Sequence, residues 1–104
     1  MHPLDILAAC FPGGSITGAP KKRATEIIAE LEPSPRGLYT GAIGFFGIDG
    51  FSQFNIAIRT VEIARDEARY GIGSGITIDS DPEREFQETC HKAAGIEAAL
   101  FGHP

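Results

Sequence analysis

Two glutamates and a lysine near the end of the sequence have the spacing of one helical face. Glu85, Glu88 and Lys92 are separated by three and four residues, which places their side chains on the same side of a helix. Adjacent carboxylates repel each other, and a hard divalent cation would relieve that repulsion. The pattern therefore predicts Glu85 and Glu88 as a magnesium-binding pair, beside a lysine able to meet an anionic substrate. The alternative is a solvated surface pair worth about 0.3 kcal/mol. Gly95 and Ala99 continue the same face and favour a site, because small residues allow another element to approach.

A glycine-rich segment, residues 11–21, is the second candidate for chemistry. Its glycines let the backbone approach a ligand, and its hydroxyls and the following helix N-terminus could bind an anion. A nucleotide-binding loop is excluded because Gly14 and Gly18 have three residues between them instead of four. A loop that only turns between two helices remains the alternative.

Arg59 interrupts an otherwise apolar strand pattern, Ile56–Thr60. A half-buried guanidinium needs an anionic partner, and its planar fork fits a carboxylate. Either a substrate carboxylate or a structural salt bridge would meet that need. Further along the chain, the alternating glycines that include Gly73 and Gly75 would let backbone N–H groups face a ligand, although such a motif alone is a weak indication of a binding site.

The elements that must position these groups form an α+β pattern, an antiparallel sheet with packed helices. Turn signals at Asp49–Gly50 and Asp66 link neighbouring strands closely, which favours antiparallel pairing. Three strands leave two open edges, which natural folds usually cover or extend. The sequence predicts a short helix ending before Pro12, a helix from Pro20 to Pro33, strands over 39–47, 52–64 and 67–73, and a helix over 81–101.

Composition narrows the class of protein. A net charge of −5 and a pI near 5.0 argue against nucleic-acid binding, and the basic run Lys21–Arg23 fits a solvated helix face. No apolar stretch approaches the roughly 20 residues needed to span a membrane, and no secretory signal is evident, so we expect a cytoplasmic protein. Cys10 and Cys90 show neither disulfide-framework nor zinc spacing and are expected to be reduced.

Five segments together resemble the C-terminal half of the chorismate-binding enzymes, a family that includes anthranilate, para-aminobenzoate, isochorismate and salicylate synthases. In order, they are FPGGSITGAPKKRATEIIAELEP, RGLYTGAIGFF, FNIAIRT, GIGSGITIDSDP and EFQETCHKA. The resemblance covers residues from about 3 to 100. It implies that residues 1–104 are a C-terminal fragment of a larger α/β sandwich, with two large antiparallel sheets flanked by helices. Ser15 resembles the para-aminobenzoate branch, aminodeoxychorismate synthase component I, because anthranilate synthases usually have threonine there.

The resemblance also implies roles for individual residues. Glu88 is similar to a direct magnesium ligand and Glu85 to one acting through water, with the metal reaching a chorismate carboxylate. Arg59 and Tyr39 resemble residues that engage the enolpyruvyl carboxylate. The other substrate-binding positions implied are Lys92, the backbone of Gly73 and Gly75, and the hydroxyl of Ser15. His91 stands where the family commonly has asparagine, a difference expected to be harmless.

The implied reaction converts chorismate and ammonia to 4-amino-4-deoxychorismate, for para-aminobenzoate and folate biosynthesis. A glutamine amidotransferase subunit or domain would supply the ammonia. In the family, the general acid/base histidine, the activating lysine and a second acidic pair lie upstream, so no catalytic residue is assigned here and the isolated chain is expected to be inactive. We also expect it to need the upstream part of the domain as a partner and to form a homo-oligomer. The alternatives are a fragment of an anthranilate, isochorismate or salicylate synthase, or a non-catalytic self-associating module.

Overall fold

The computed structural model describes residues 1–102 and confirms an α+β protein. Contacts divide it into two units, one ending at Ala57 and the other beginning at Ile58. The first unit contains α1 (Pro3–Cys10), α2 (Gly14–Thr17), α3 (Lys21–Leu31), β1 (Ala42–Phe46) and β2 (Ser52–Ile56). The second contains β3 (Val61–Ala64), β4 (Glu67–Tyr70) and α4 (Pro82–Phe101).

The helices of the first unit begin and end at local sequence signals. At the start of α1, the His2 imidazole accepts a hydrogen bond from the Leu4 N–H at 3.1 Å, and the Asp5 carboxylate accepts one from the His2 N–H at 3.3 Å. These bonds satisfy N–H groups that have no partner within the helix. α3 ends at Leu31, two residues before Pro33, because the residue before a proline is pushed out of the helical conformation. The sequence placed Pro20 in the first turn of this helix, and the structure makes it the N-cap.

Strands β1 and β2 form an antiparallel hairpin whose register runs from Ala42 opposite Ile56 to Phe46 opposite Ser52. The turn closes through a bond from the Gly47 N–H to the Phe51 carbonyl at 2.7 Å, and the Asp49 carboxylate accepts from the Phe51 N–H at 3.0 Å. Gly50 takes a positive φ of 89° there. The predicted Asp49–Gly50 turn is therefore confirmed, and glycine suits it because glycine adopts positive φ without steric cost.

In the second unit, β3 and β4 pair in antiparallel register, and α4 follows a segment without helix or strand. Asp81 caps α4 by accepting from the Arg84 N–H at 3.0 Å, and Pro82 takes the first helical position. The helix ends at Phe101, and its C-cap, Gly102, has a left-handed φ of 67°. This element matches the helix predicted over 81–101.

The single three-stranded antiparallel sheet predicted from the sequence is wrong in three respects. The strand predicted over 67–73 ends at Tyr70. The strand predicted over 52–64 is broken between β2 and β3, so the described residues form two separate two-stranded sheets. Arg59 takes a left-handed φ of 51°, and the Thr60 hydroxyl donates to the Ile58 carbonyl at 2.9 Å. Both features are typical of a turn and end the ladder. The strand predicted from Tyr39 begins only at Ala42, because Thr40 also has a positive φ of 65°.

Very little of the chain is buried. Among the described residues, Ala57 is the one buried hydrophobic residue and Thr40 the one buried polar residue. The total accessible surface is 8,259 Å², whereas even two separate compact bodies of half this mass would together expose about 6,800 Å². The elements therefore present apolar side chains that they do not cover themselves. Within residues 1–102, no helix is both long enough and apolar enough to cross a membrane.

Candidate substrate site

A cleft of about 420 Å³ in the second unit brings together two of the predicted substrate-binding cations. Arg59 enters it from the break that precedes β3, and Lys92 enters it from α4. Gly95 and Ala99, one and two turns beyond Lys92, line the same space, and their small side chains leave it open. Val61, Ile96 and Leu100 complete the lining. The small-residue face noted in the sequence is therefore the floor of a cleft with two positively charged groups.

Lys92 is held in place by two contacts. Its Nζ donates to the Gly73 carbonyl oxygen at 3.0 Å and lies 2.9 Å from Glu88 Oε1. The lysine side chain is 27% exposed, and the glutamate side chain is 52% exposed. These contacts bring three of the predicted site residues into one cluster and hold the ammonium where it can meet an anion at the cleft.

The two glutamates differ in their surroundings. Glu85 has one carboxylate oxygen, Oε2, that is buried and has no hydrogen-bond partner among the described residues, while Glu88 is paired with Lys92. A buried unpaired oxygen is costly unless something binds it, and an all-oxygen pair suits a hard cation such as magnesium. The residues present therefore fit part of a magnesium site. No cluster of three or more acidic, histidine or cysteine groups able to hold a metal occurs within residues 1–102.

Arg59 differs from its prediction. The sequence suggested a half-buried arginine within an apolar strand, and the structure places an exposed arginine in a break between strands. The alternative of a structural salt bridge finds no partner for Arg59 in the part of the chain that the structure describes. An exposed guanidinium beside a cleft is available to a ligand carboxylate.

Gly75 lies in the irregular segment between β4 and α4. A Cβ built there would meet nothing within 4 Å, so no contact among the described residues requires glycine at this position. Gly73 contributes through its carbonyl, which accepts from Lys92. The neighbouring Ser74 hydroxyl donates to the Glu85 carbonyl at 3.5 Å, which connects the glycine segment to the start of α4.

Tyr70 and Glu97 form a contact in this unit that sequence reasoning missed. The tyrosine hydroxyl donates to Glu97 Oε1 at 3.2 Å and links β4 to α4. Loss of water around the phenol, followed by the hydrogen bond to Glu97, raises the pKa of Tyr70. No spacing rule connects residues 27 positions apart, so the sequence carried no signal for this pair.

The other two predicted substrate-binding residues, Ser15 and Tyr39, belong to the first unit. Ser15 is exposed and lies in α2, a single helical turn within the segment predicted as a loop. Tyr39 is half-buried in the turn that precedes β1. The Arg36 guanidinium carbon lies 5.6 Å from the centroid of the Tyr39 ring, within the range of a cation–π contact.

Arg36 in turn is bound to Glu32, a pair that sequence reasoning also missed. Arg36 Nη2 lies 2.6 Å from Glu32 Oε1, and Nε lies 2.9 Å from Oε2. The hydrogen bonds from Arg36 lower the pKa of Glu32, and the same bonds raise the pKa of Arg36. The i,i+4 spacing of an acid and an arginine was the available signal. That spacing predicts a contact within a helix, however, and Pro33 and Pro35 end the helix between the two residues.

Comparison with known proteins identifies the family of this chain. The family model described as chorismate binding enzyme matches residues 1–98. The chain belongs to the chorismate-binding enzyme family. The resemblance drawn from the five sequence segments is thereby confirmed, and the two small antiparallel sheets with helices are consistent with part of a chorismate-binding domain.

Relatives that are about 50% identical to this chain carry two different enzyme names. Over 97 residues, 93% of this chain, it is 52% identical to anthranilate synthase component 1 of Streptomyces coelicolor, of which it covers 19%. Over the same length it is 53% identical to aminodeoxychorismate synthase component 1 of Bacillus subtilis, of which it covers 21%. An aminodeoxychorismate synthase of Streptomyces griseus is 50% identical over 94 residues, 90% of this chain and 13% of that protein. The chain spans about a fifth of the length of the first two relatives, and these identities do not single out one reaction.

Proposed function

We propose that the chain is part of an aminodeoxychorismate synthase component I, and that it contributes substrate- and metal-binding groups to the conversion of chorismate and ammonia to 4-amino-4-deoxychorismate. The observation that carries the proposal is the cleft in which Arg59 and Lys92 meet, with Glu85 and Glu88 on the helix that supplies Lys92. Chorismate is a dicarboxylate, and a guanidinium and an ammonium at one cleft suit such a ligand.

The residues of this chain act by binding and orienting. The Lys92 ammonium is oriented by its contacts with the Gly73 carbonyl and the Glu88 carboxylate, and it attracts a substrate carboxylate. Arg59 and Tyr39 engage the enolpyruvyl carboxylate, and Ser15 presents a hydroxyl. Glu85 and Glu88 would hold magnesium, which supplies electrostatic stabilisation of charge that develops during the reaction. A glutamine amidotransferase partner would supply ammonia, and other parts of the domain the proton-transfer groups.

Ser15 supports the aminodeoxychorismate branch, because it resembles the serine of that branch at the glycine-rich segment. A second candidate, anthranilate synthase, is favoured by the 52% identity to the Streptomyces coelicolor enzyme. The two differ in the ring position at which ammonia adds, so product analysis separates them. A non-catalytic self-associating module is the third possibility, supported by the exposed apolar side chains.

The test uses two grafted enzymes. The chain replaces its 97 matching residues in Bacillus subtilis aminodeoxychorismate synthase component 1 and, separately, in the Streptomyces coelicolor anthranilate synthase component 1. Each graft is assayed for chorismate consumption with magnesium and ammonium, and the product is identified by chromatography. We expect the aminodeoxychorismate graft to keep activity within about tenfold of its parent and the anthranilate graft to fall further, with Ser15→Thr restoring part of the difference.

Activity in the anthranilate graft alone would favour the second candidate. Cooperatively folded grafts that both fail to consume chorismate would overturn the proposal. The cleft is tested separately with Arg59→Gln, which should raise the KM for chorismate. Arg65→Gln is the matched control, since Arg65 is also exposed and also has a positive φ, 56°, but lies in the β3–β4 turn.

A further inference from the structure

The turn that carries Tyr39 is built around one guanidinium. Arg36 makes its paired contacts to Glu32 at the C-cap of α3 and also donates from Nη1 to the Thr40 hydroxyl at 3.2 Å. Its guanidinium also approaches the Tyr39 ring. A single side chain therefore contacts the helix end, the aromatic ring and the residue that leads into β1.

Thr40 shows that this turn depends on outside support. It is only 8% exposed and has a left-handed φ of 65°, a conformation that a β-branched residue rarely adopts. Its N–H donates to the Ala57 carbonyl at 2.8 Å, and its hydroxyl donates to the Tyr39 carbonyl at 2.6 Å while accepting from Arg36. Residues in such conformations persist when several contacts determine them together.

The pairing with Glu32 sets what Arg36 can do. Its Nε and Nη2 donors are directed at the Glu32 carboxylate, with Nε also 3.1 Å from Oε1, and the pair is neutral as a unit. A guanidinium held in this way is not the group that attracts a substrate anion. It is instead a rigid planar surface against which an aromatic ring can rest.

We propose that Arg36, fixed by Glu32, is a positioning residue for Tyr39: it supports the ring and the Thr40 turn so that the tyrosine is held in one orientation for substrate. The role in substrate binding rests on the proposed function, whereas the support of the ring is a property of this unit alone. Losing that support leaves the tyrosine hydroxyl present but less ordered, which raises the cost of ordering it on binding.

The experiment measures the environment of the Tyr39 ring by fluorine NMR, and the steady-state kinetics, in the same grafted aminodeoxychorismate synthase. A 3-fluorotyrosine is placed at position 39 alone or, as a reference, at position 70 alone, and the fluorine resonance is recorded for Arg36→Lys and Glu32→Gln. Arg36→Lys keeps the charge but loses the planar fork, and Glu32→Gln keeps the shape but loses the carboxylate charge. The matched controls are Arg23→Lys and Glu26→Gln, which alter an exposed ion pair of 3.1 Å on the same helix.

We expect both test variants to shift or broaden the resonance at position 39, to leave that at position 70 unchanged, and to raise the KM for chorismate about fivefold with kcat within twofold. The control variants should alter neither. An unchanged resonance at position 39 in both test variants would overturn the proposal. It would also be overturned if the test variants shift the resonance but leave the KM for chorismate unchanged, while Tyr39→Phe raises that KM. If Tyr39→Phe itself leaves KM unchanged, the proposed substrate role of Tyr39 fails, and a shifted resonance still supports Arg36 as the support of the ring. If Arg36→Lys does not fold, Glu32→Gln carries the test.

Discussion

Replacing Lys92 with methionine is the most direct test of the cleft. Methionine keeps an apolar stem of similar length but removes the ammonium, so the Gly73 carbonyl loses its donor at 3.0 Å and Glu88 loses its ionic partner at 2.9 Å. A hydrogen bond from a charged donor contributes about 1.5–3 kcal/mol. The ion pair adds at most about 1 kcal/mol because the glutamate side chain is 52% exposed and solvent screens it.

The two contributions share one ammonium and are not additive. The loss of these internal contacts should therefore lower the stability of the graft by about 2 kcal/mol. The same ammonium is proposed to donate a charged hydrogen bond to a substrate carboxylate, and losing that bond should cost about 2 kcal/mol of substrate binding, roughly a 30-fold rise in the KM for chorismate. The kcat should change less, because Lys92 is proposed to bind the substrate and not to transfer a proton. The assay is steady-state kinetics in the grafted aminodeoxychorismate synthase, with its melting temperature recorded in parallel.

Lys22→Met is the matched control, since Lys22 is an exposed lysine of α3, and its KM should stay within twofold of the unaltered graft. Lys92→Gln replaces the methionine variant if the latter does not melt cooperatively. A KM unchanged by Lys92→Met, accompanied by a lowered melting temperature, would refute the reasoning and leave Lys92 as a structural latch between α4 and the glycine segment.

Four further predictions concern the isolated chain, its self-association, the β1–β2 hairpin and the Glu32–Arg36 pair. The isolated 104-residue chain should not consume chorismate when magnesium and ammonium are supplied, and turnover comparable to the graft would contradict this. It should bind magnesium only in the millimolar range, because two carboxylates rarely hold a strongly hydrated ion. Micromolar magnesium affinity by calorimetry would be the contrary result. The chain should self-associate at low micromolar concentration because its apolar side chains are exposed, and light scattering that gives 11.1 kDa with a sharp melt would show otherwise. Gly44→Ala should destabilise the grafted protein in urea by about 2 kcal/mol, because a Cβ would collide with the Gln53 carbonyl and the Phe54 ring, whereas Gly75→Ala, where space is open, should change stability little. Finally, the hydrogen bonds from Arg36 lower the pKa of Glu32 below 4.5. The pair should therefore contribute about 1 kcal/mol of folding stability above pH 4.5, and this contribution should be lost as the pH falls through the folded-state pKa. Unfolding measured across acid pH should show the loss, and the Glu32→Gln variant should not show it.

Helices α1, α3 and α4 and the Glu88–Lys92 ion pair could be predicted from the sequence because local signals determine them. Asp81 and Pro82 mark the start of α4, and the spacing of Glu88 and Lys92 defines an ion pair that the structure contains. Such signals act within one or two helical turns and do not depend on the rest of the fold. The closing glycine at position 102 adds a third local signal.

The break at Arg59 could not be predicted, because no local signal opposed a strand. Residues 52–64 contain the alternating apolar pattern and β-branched residues of a long strand, and Arg59 has no strong preference for a left-handed conformation. The same limit applies to Tyr70 and Glu97, which meet across 27 positions.

The difference between local and distant interactions also concerns how the chain can hold the residues of the proposed binding site while burying so few side chains. Lys92 is oriented by Glu88 one turn away and by a single bond to Gly73, and Arg36 is oriented by Glu32 four residues earlier. None of these contacts needs a hydrophobic core. The apolar faces of the hairpins and of α4 do need one, because exposed surfaces of that kind are stabilised only when another polypeptide surface covers them. Lys92 and Arg36 are therefore oriented by contacts with individual neighbours, and the alignment of Lys92 with the rest of the proposed chorismate site depends on the surface that covers the apolar faces.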